Sequence, residues 1–232
     1  MDPHLGTGVG RPPARKTSMA MRVSISILAL TAAVLAATIP LTATAKPTGG
    51  DCHGKRVTMR GTDGDDVVRS TDVRDGDVIA LGDGDDYLCL QRVSRVAVCG
   101  GQGDDTLIAG QHAGRHLLLD GEDGRDDVGS AFYDNGSRKV SHHAMKLFGG
   151  DASDSITGSL DDDRIHGGNA YDLIGANTGD DRIWGDGGRD QLAGESGADR
   201  MWGGRGDDNV RGGSYLSPGP KIDRGDFTDG GQ

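Results

Sequence analysis

The sequence predicts an all-β fold, a flattened parallel solenoid wound from nine-residue units, on three observations. An aspartate recurs every nine residues without slip from Asp154 through Asp163, Asp172, Asp181, Asp190 and Asp199 to Asp208. Two residues after each stands an apolar side chain: Ile156, Ile165, Ile174, Ile183, Leu192, Met201 and Val210. Five residues before each stands Gly149, Gly158, Gly167, Gly185, Gly194 or Gly203, with Ala176 the exception. Three registers in one phase mean that each unit buries its apolar residue only against its neighbours.

Each unit divides into a glycine-rich half that turns and a short half that runs extended, so two units complete one coil with a strand on each side. Alternate units then stack. Ile156, Ile174, Leu192 and Val210 fall on one sheet and Ile165, Ile183 and Met201 on the other, all pointing inward. The turns divide in the same way, with Asp154, Asp172, Asp190 and Asp208 along one edge and Asp163, Asp181 and Asp199 along the other.

The unit G-G-x-G-x-D-x-U-x, with U a large apolar residue, resembles the RTX, or hemolysin-type, calcium-binding nonapeptide, and Gly203 to Val210 matches it throughout. Copies at wider spacing are GTDGDDVV from Gly61, GDGDDYL from Gly82 and GGQGDDTL from Gly100, with a weaker one from Gly121 to Val128. Their final aspartates are Asp66, Asp86, Asp105 and Asp127. The resemblance implies a right-handed parallel β-roll that holds Ca2+. It assigns the side-chain ligands to Asp66, Asp86, Asp105, Asp127, Asp154, Asp163, Asp172, Asp181, Asp190, Asp199 and Asp208, with turn carbonyls completing the shell. Ala152, Asp161 and Ala170 replace the fourth-position glycine, so strained or weakly binding turns are expected there.

Elementary electrostatics supports a cation. Stacked strands lie about 4.8 Å apart, so each edge carries carboxylates at about that spacing. At an effective dielectric near 20 two such charges repel by roughly 3 to 4 kcal/mol, whereas burying one Ile or Leu returns about 1.5 to 3 kcal/mol. The apolar stack alone loses. A hard divalent ion that takes six to eight oxygens reverses the sign, and calcium suits such turns better than magnesium, which demands rigid octahedral geometry.

The surrounding segments read differently. Arg15, Lys16 and Arg22 precede an apolar run from Val23 to Ile39, then Pro40 and Ala43-Thr44-Ala45, so 1–45 is expected to be an export signal with an upstream extension. The remaining boundaries are a cap over 46–60, irregular repeats over 61–128, an insertion over 129–147, strict repeats over 148–213 and an irregular tail over 214–232. Cys52, Cys89 and Cys99 suit an oxidising compartment with one bridge and one free thiol. Cys52 and Cys99 are the expected pair, because Cys89 and Cys99 border strands on opposite faces. No C-x-x-C spacing brings two sulfurs to one metal ion.

Composition narrows function further. With 41 glycines and 4% aromatic residues the chain is poorly supplied for an ordinary core. Its 36 acidic against 25 basic residues argue against nucleic acid or anionic membranes as partners. His112 and His116, and the adjacent His142 and His143, fall in irregular segments and are expected to be solvated. Trp184 and Trp202 fall at the outward ninth position and are expected to cover the sheet. Arg224-Gly225-Asp226 is read as a chance string. H-E-x-x-H, G-x-S-x-G and G-x-x-x-x-G-K are absent, and the repeated carboxylates read as ligands rather than as an acid and base. The expectation is a secreted, non-catalytic calcium-binding protein, a structural or interaction module with no membrane insertion after processing. A secreted hydrolase or cell-surface adhesin built on the roll is the alternative, and a protein or cell-wall partner remains unnamed.

Overall fold

The computed structural model describes residues 51–130, 132–134, 137–213 and 227–229. All lie in the compact unit Pro40–Gln232; the unit Met1–Ile39, the rest of the expected leader, Arg224-Gly225-Asp226 and most of the expected tail fall outside the described residues.

The described chain is a parallel β-roll. One sheet runs Met59–Arg60, Val78–Asp83, Ala97–Gln102, Leu117–Asp123, Met145–Asp151, Arg164–Asn169, Arg182–Gly187, Arg200–Trp202 and Phe227–Asp229. The second runs Val67–Arg69, Tyr87–Leu90, Thr106–Ala109, Asp127–Gly129, Ser155–Thr157, Leu173–Gly175, Gln191–Ala193 and Asn209–Arg211. Strands alternate between the sheets along the chain, so each coil contributes one to each. A single 3-10 turn at Ser70–Asp72 is the helical element among the described residues.

The nine-residue period sets this register. Ile156 stands beside Ile174, Ile174 beside Leu192 and Leu192 beside Val210, while Ile165, Ile183 and Met201 align on the opposite sheet. The irregular repeats extend both rows: Val68, Leu88, Leu107 and Val128 join the first, and Ile79, Val98, Leu119 and Leu147 the second. These residues form one continuous buried stack, with Val210 partly buried at its end. Each buried aliphatic side chain contributes about 1.5 to 3 kcal/mol, which strands of three residues could not gain alone.

Between Ser130 and Met145 the chain leaves the coil, with an antiparallel pair of Phe132–Asp134 and Ser137–Lys139. The coil resumes at Met145, inside the span expected as an insertion, because Leu147 falls into the inward row beside Leu119 and Ile165. Near the start, Cys52 is bonded to Cys99, as expected, and Cys89 is a free thiol.

Candidate metal centre

The glycine turns line the two edges of the roll, and on each edge the sixth-position aspartates form a hydrogen-bonded column. The amide of Asp66 donates to Asp86 Oδ1 at 2.7 Å, that of Asp86 to Asp105 at 2.8 Å, and that of Asp105 to Asp126 at 2.8 Å. The line continues through Asp154, Asp172, Asp190 and Asp208 at 2.8 to 3.0 Å. Irregular and strict repeats therefore share one column. On the other edge Met145 donates to Asp163, Asp163 to Asp181 and Asp181 to Asp199, at 2.7 to 3.0 Å. In the coil of Ile79, Asp77 holds that phase and accepts from the Thr58 hydroxyl and the Arg74 amide, and in the next three coils buried Val96, Leu117 and Met145 replace it with apolar packing before Asp163 begins its column.

Ten of the eleven aspartates assigned from the resemblance occupy these columns, and Asp127 does not. Asp127 opens a strand opposite Ser155 and is exposed, whereas its neighbour Asp126 is buried in the column. The strand alternation decides this: Val128 points inward, so the residue two before it lies at the turn and the residue one before it faces out. Counting back two from Val128 would have found Asp126.

The columns bring oxygens together without donors. Oδ2 of Asp86, Asp105, Asp126, Asp154, Asp172, Asp181, Asp190 and Asp208 is buried and has no hydrogen-bond partner. The oxygens of Asp105, Asp126, Asp154, Asp172 and Asp190 each share their space with a carbonyl of the next coil. An ideal Cβ on Gly167 would lie 2.5 Å from Asp172 Oδ2 and 2.7 Å from Gly185 O. On Gly185 it would lie 2.5 Å from Asp190 Oδ2 and 2.4 Å from Gly203 O. Two acceptors converging on the bare face of a glycine suit a cation or a hydrogen-bond donor and repel any further acceptor.

The first member of each column is closed differently. Asp66 Oδ2 accepts from the amide of Thr62 at 2.6 Å and from its hydroxyl at 3.1 Å. Asp163 accepts from the amide of Ser159 and from its hydroxyl, the latter at 3.0 Å. Thr62 and Ser159 stand where the repeat has its second glycine, and that departure in the sequence is the signal for these two caps.

A further column was not foreseen. The amide of Asp85 donates to Asp65 Oδ1, that of Asp104 to Asp85 and that of Arg125 to Asp104, all at 2.9 to 3.0 Å. Asp162 and Asp180 do the same on the other edge. These fifth-position carboxylates lean toward the following coil and the sixth-position ones toward the preceding coil, so both reach into the same gap between turns.

Burial, aided by neighbouring carboxylates, raises the acids well above the ordinary 3.8: Asp86, Asp105, Asp126, Asp154 and Asp172 to about 7, and Asp190 to about 6. Burial likewise holds Asp181 at about 8 and Asp163 at about 6. Without a positive charge nearby, several would carry protons at neutrality.

The RTX calcium-binding nonapeptide repeat family matches the chain in four copies, over residues 100–113, 146–174 and 175–210. Those residues match the RTX repeat. No curated protein matches the chain significantly. The match covers Asp105, Asp154, Asp172, Asp190 and Asp208 of one column and Asp163, Asp181 and Asp199 of the other, and a β-roll with such repeats fits a calcium-binding structural module.

The other sequence candidates do not join the RTX turns. His112, His116 and His142 are exposed and His143 is half-buried. Ala152 and Ala170 keep the turn in the left-handed region, at φ 78° and 75°, while Asp161 is not among the positive-φ residues. His53, Asp120 and Cys99 place ligand atoms within 4.8 Å of one another, but the Cys99 sulfur is already bonded to Cys52.

Proposed function

We propose that this chain is a secreted, non-catalytic protein whose RTX roll is completed by Ca2+ between consecutive turns, and that it serves as a structural or interaction module. The observation that carries the reading is the row of buried, donorless Oδ2 atoms beside turn carbonyls. Asp86, Asp105, Asp126, Asp154, Asp172, Asp181, Asp190, Asp199 and Asp208 are the proposed side-chain ligands. Asp66 and Asp163, already capped by Thr62 and Ser159, contribute less. Calcium supplies the charge that lets these rows ionise inside a compact coil. Sites of about 10⁻⁴ to 10⁻³ M would fill outside a cell, where such weak modules operate.

The test is circular dichroism and thermal melting of the purified protein during a calcium titration, with magnesium in parallel. Strand signal and melting temperature are expected to rise cooperatively with calcium and not with magnesium. At 100 times the dissociation constant each filled site adds about 2.7 kcal/mol. Equal order and heat resistance in excess chelator would refute the reading.

A further inference from the structure

The outer face of the first sheet changes character halfway along. Val78, Ala97 and Leu118 lie in cross-strand register and pack with Cys52 and Cys99 beneath the N-terminal segment, with Val57 and Phe148 at the margin. The same register continues as Lys146, Arg164, Arg182 and Arg200, all exposed. Where the covering segment ends, the column turns from apolar and closed to cationic and open.

Four cations stand about 4.8 Å from one strand to the next. None of them forms an ion pair with a described residue. The nearby acid Asp186 is engaged with His166 Nδ1 at 2.9 Å. The register-matched positions on the second sheet are Ser155, Leu173, Gln191 and Asn209, which carry no charge. The repeat therefore does not require a cation at this phase.

Beside the cations runs a row of rings. Phe148, His166, Trp184 and Trp202 stack at 5.3, 4.5 and 4.8 Å with planes within 9° of parallel. The guanidinium of Arg164 lies 4.8 Å over the Trp184 ring, which limits its freedom before any ligand arrives. A groove of about 340 Å³ is lined by Lys55, His116, Lys146, Arg164 and Arg182, together with the carboxylates Asp162 and Asp163.

We propose that this stripe binds a linear anionic polysaccharide lying along the roll axis, with carboxylate or sulfate groups recurring about once per sugar. A guanidinium fork suits both groups. An acidic peptide fits the pitch poorly, since same-side residues of an extended chain recur at about 6.6 to 7 Å. Single-stranded nucleic acid binds by stacking bases on ring faces, and here the rings cover one another's faces.

The test uses the calcium-saturated full chain, with folding confirmed by dichroism in every arm, so that failure of the calcium reading shows separately as loss of strand signal. Chondroitin sulfate is titrated calorimetrically, with uncharged dextran and a thymidine oligonucleotide alongside. Chondroitin sulfate is expected to bind at least tenfold tighter than the oligonucleotide, and dextran not at all. The Arg164→Gln/Arg182→Gln double variant should lose at least tenfold in affinity, while Arg69→Gln/Arg211→Gln on the opposite sheet changes it less than twofold. Absence of binding by the folded protein, equal binding by the Arg164→Gln/Arg182→Gln variant, or an oligonucleotide that binds as tightly would overturn the proposal.

Discussion

The amide of Asp172 donates to Asp190 Oδ1 at 3.0 Å, and the second oxygen of Asp190 is buried with no donor. The first oxygen joins coils and the second awaits a charge. Asp190→Asn keeps an acceptor for the amide and removes the charge. In calcium the variant should bind the ion at that turn at least tenfold more weakly, about 1.4 kcal/mol, and melt lower. In chelator it should melt at or above the parent, because a buried repulsive charge is gone. Differential scanning calorimetry in both buffers checks the change of sign; a lower melting temperature in both would point to simple damage.

The raised acids set a pH dependence with a definite direction. Asp86, Asp105, Asp126, Asp154 and Asp172 stand at about 7 in the calcium-free coil against 3.8 ordinarily, and Asp181 at about 8. A folded pKa above the unfolded one gives stability that is complete below the unfolded value and lost as pH rises through the folded one. Strand content in calcium-free buffer should therefore be greatest near pH 4 and fall between about pH 6 and 8. Calcium binding should release protons across that window and tighten as pH rises, which titration in buffers of different ionisation enthalpy would measure.

Glycine positions separate turn from surface. Gly185→Ala would put a methyl 2.4 Å from Gly203 O and 2.5 Å from Asp190 Oδ2, while a Cβ on Gly175 meets nothing within 4 Å. The first substitution is expected to cost about 1 to 3 kcal/mol in calcium. The second should stay within about 0.5 kcal/mol. Urea midpoints report both, and calcium stoichiometry should fall for Gly185→Ala alone.

Ala170 offers the opposite experiment. It sits at φ 75° in a turn whose repeat position is ordinarily glycine. Ala170→Gly should stabilise the calcium form by about 1 kcal/mol by relieving the left-handed backbone. A lowered urea midpoint would show that the strain argument fails there.

The bridge from Cys52 to Cys99 closes 47 residues of separation and pins the covering segment over Val78, Ala97 and Leu118. Reduction should cost about 4 kcal/mol in the chain-entropy account. It should also free the segment for proteolysis near Lys55. Peptide mapping of unreduced protein should find Cys89 alone as a thiol, and slow to alkylate, since burial pushes its pKa up.

The period of nine by itself determined the two-sheet coil, the inward row from Ile156 to Val210 and the sixth-position aspartates of the strict repeats. Those features follow from phase, and phase is written in the spacing of one residue type. What the tertiary structure decided lies where phase is lost or where distant segments meet. Unequal insertions hid that Asp66 to Asp126 continue the column of Asp154 to Asp208, and the doublet Asp126-Asp127 could be assigned only once strand pairing turned Val128 inward. The Thr62 and Ser159 caps, the fifth-position carboxylates and the cationic outer stripe were likewise settled by contacts between coils. A repeat tells each residue which way it faces; only pairing across coils tells it which residue it faces.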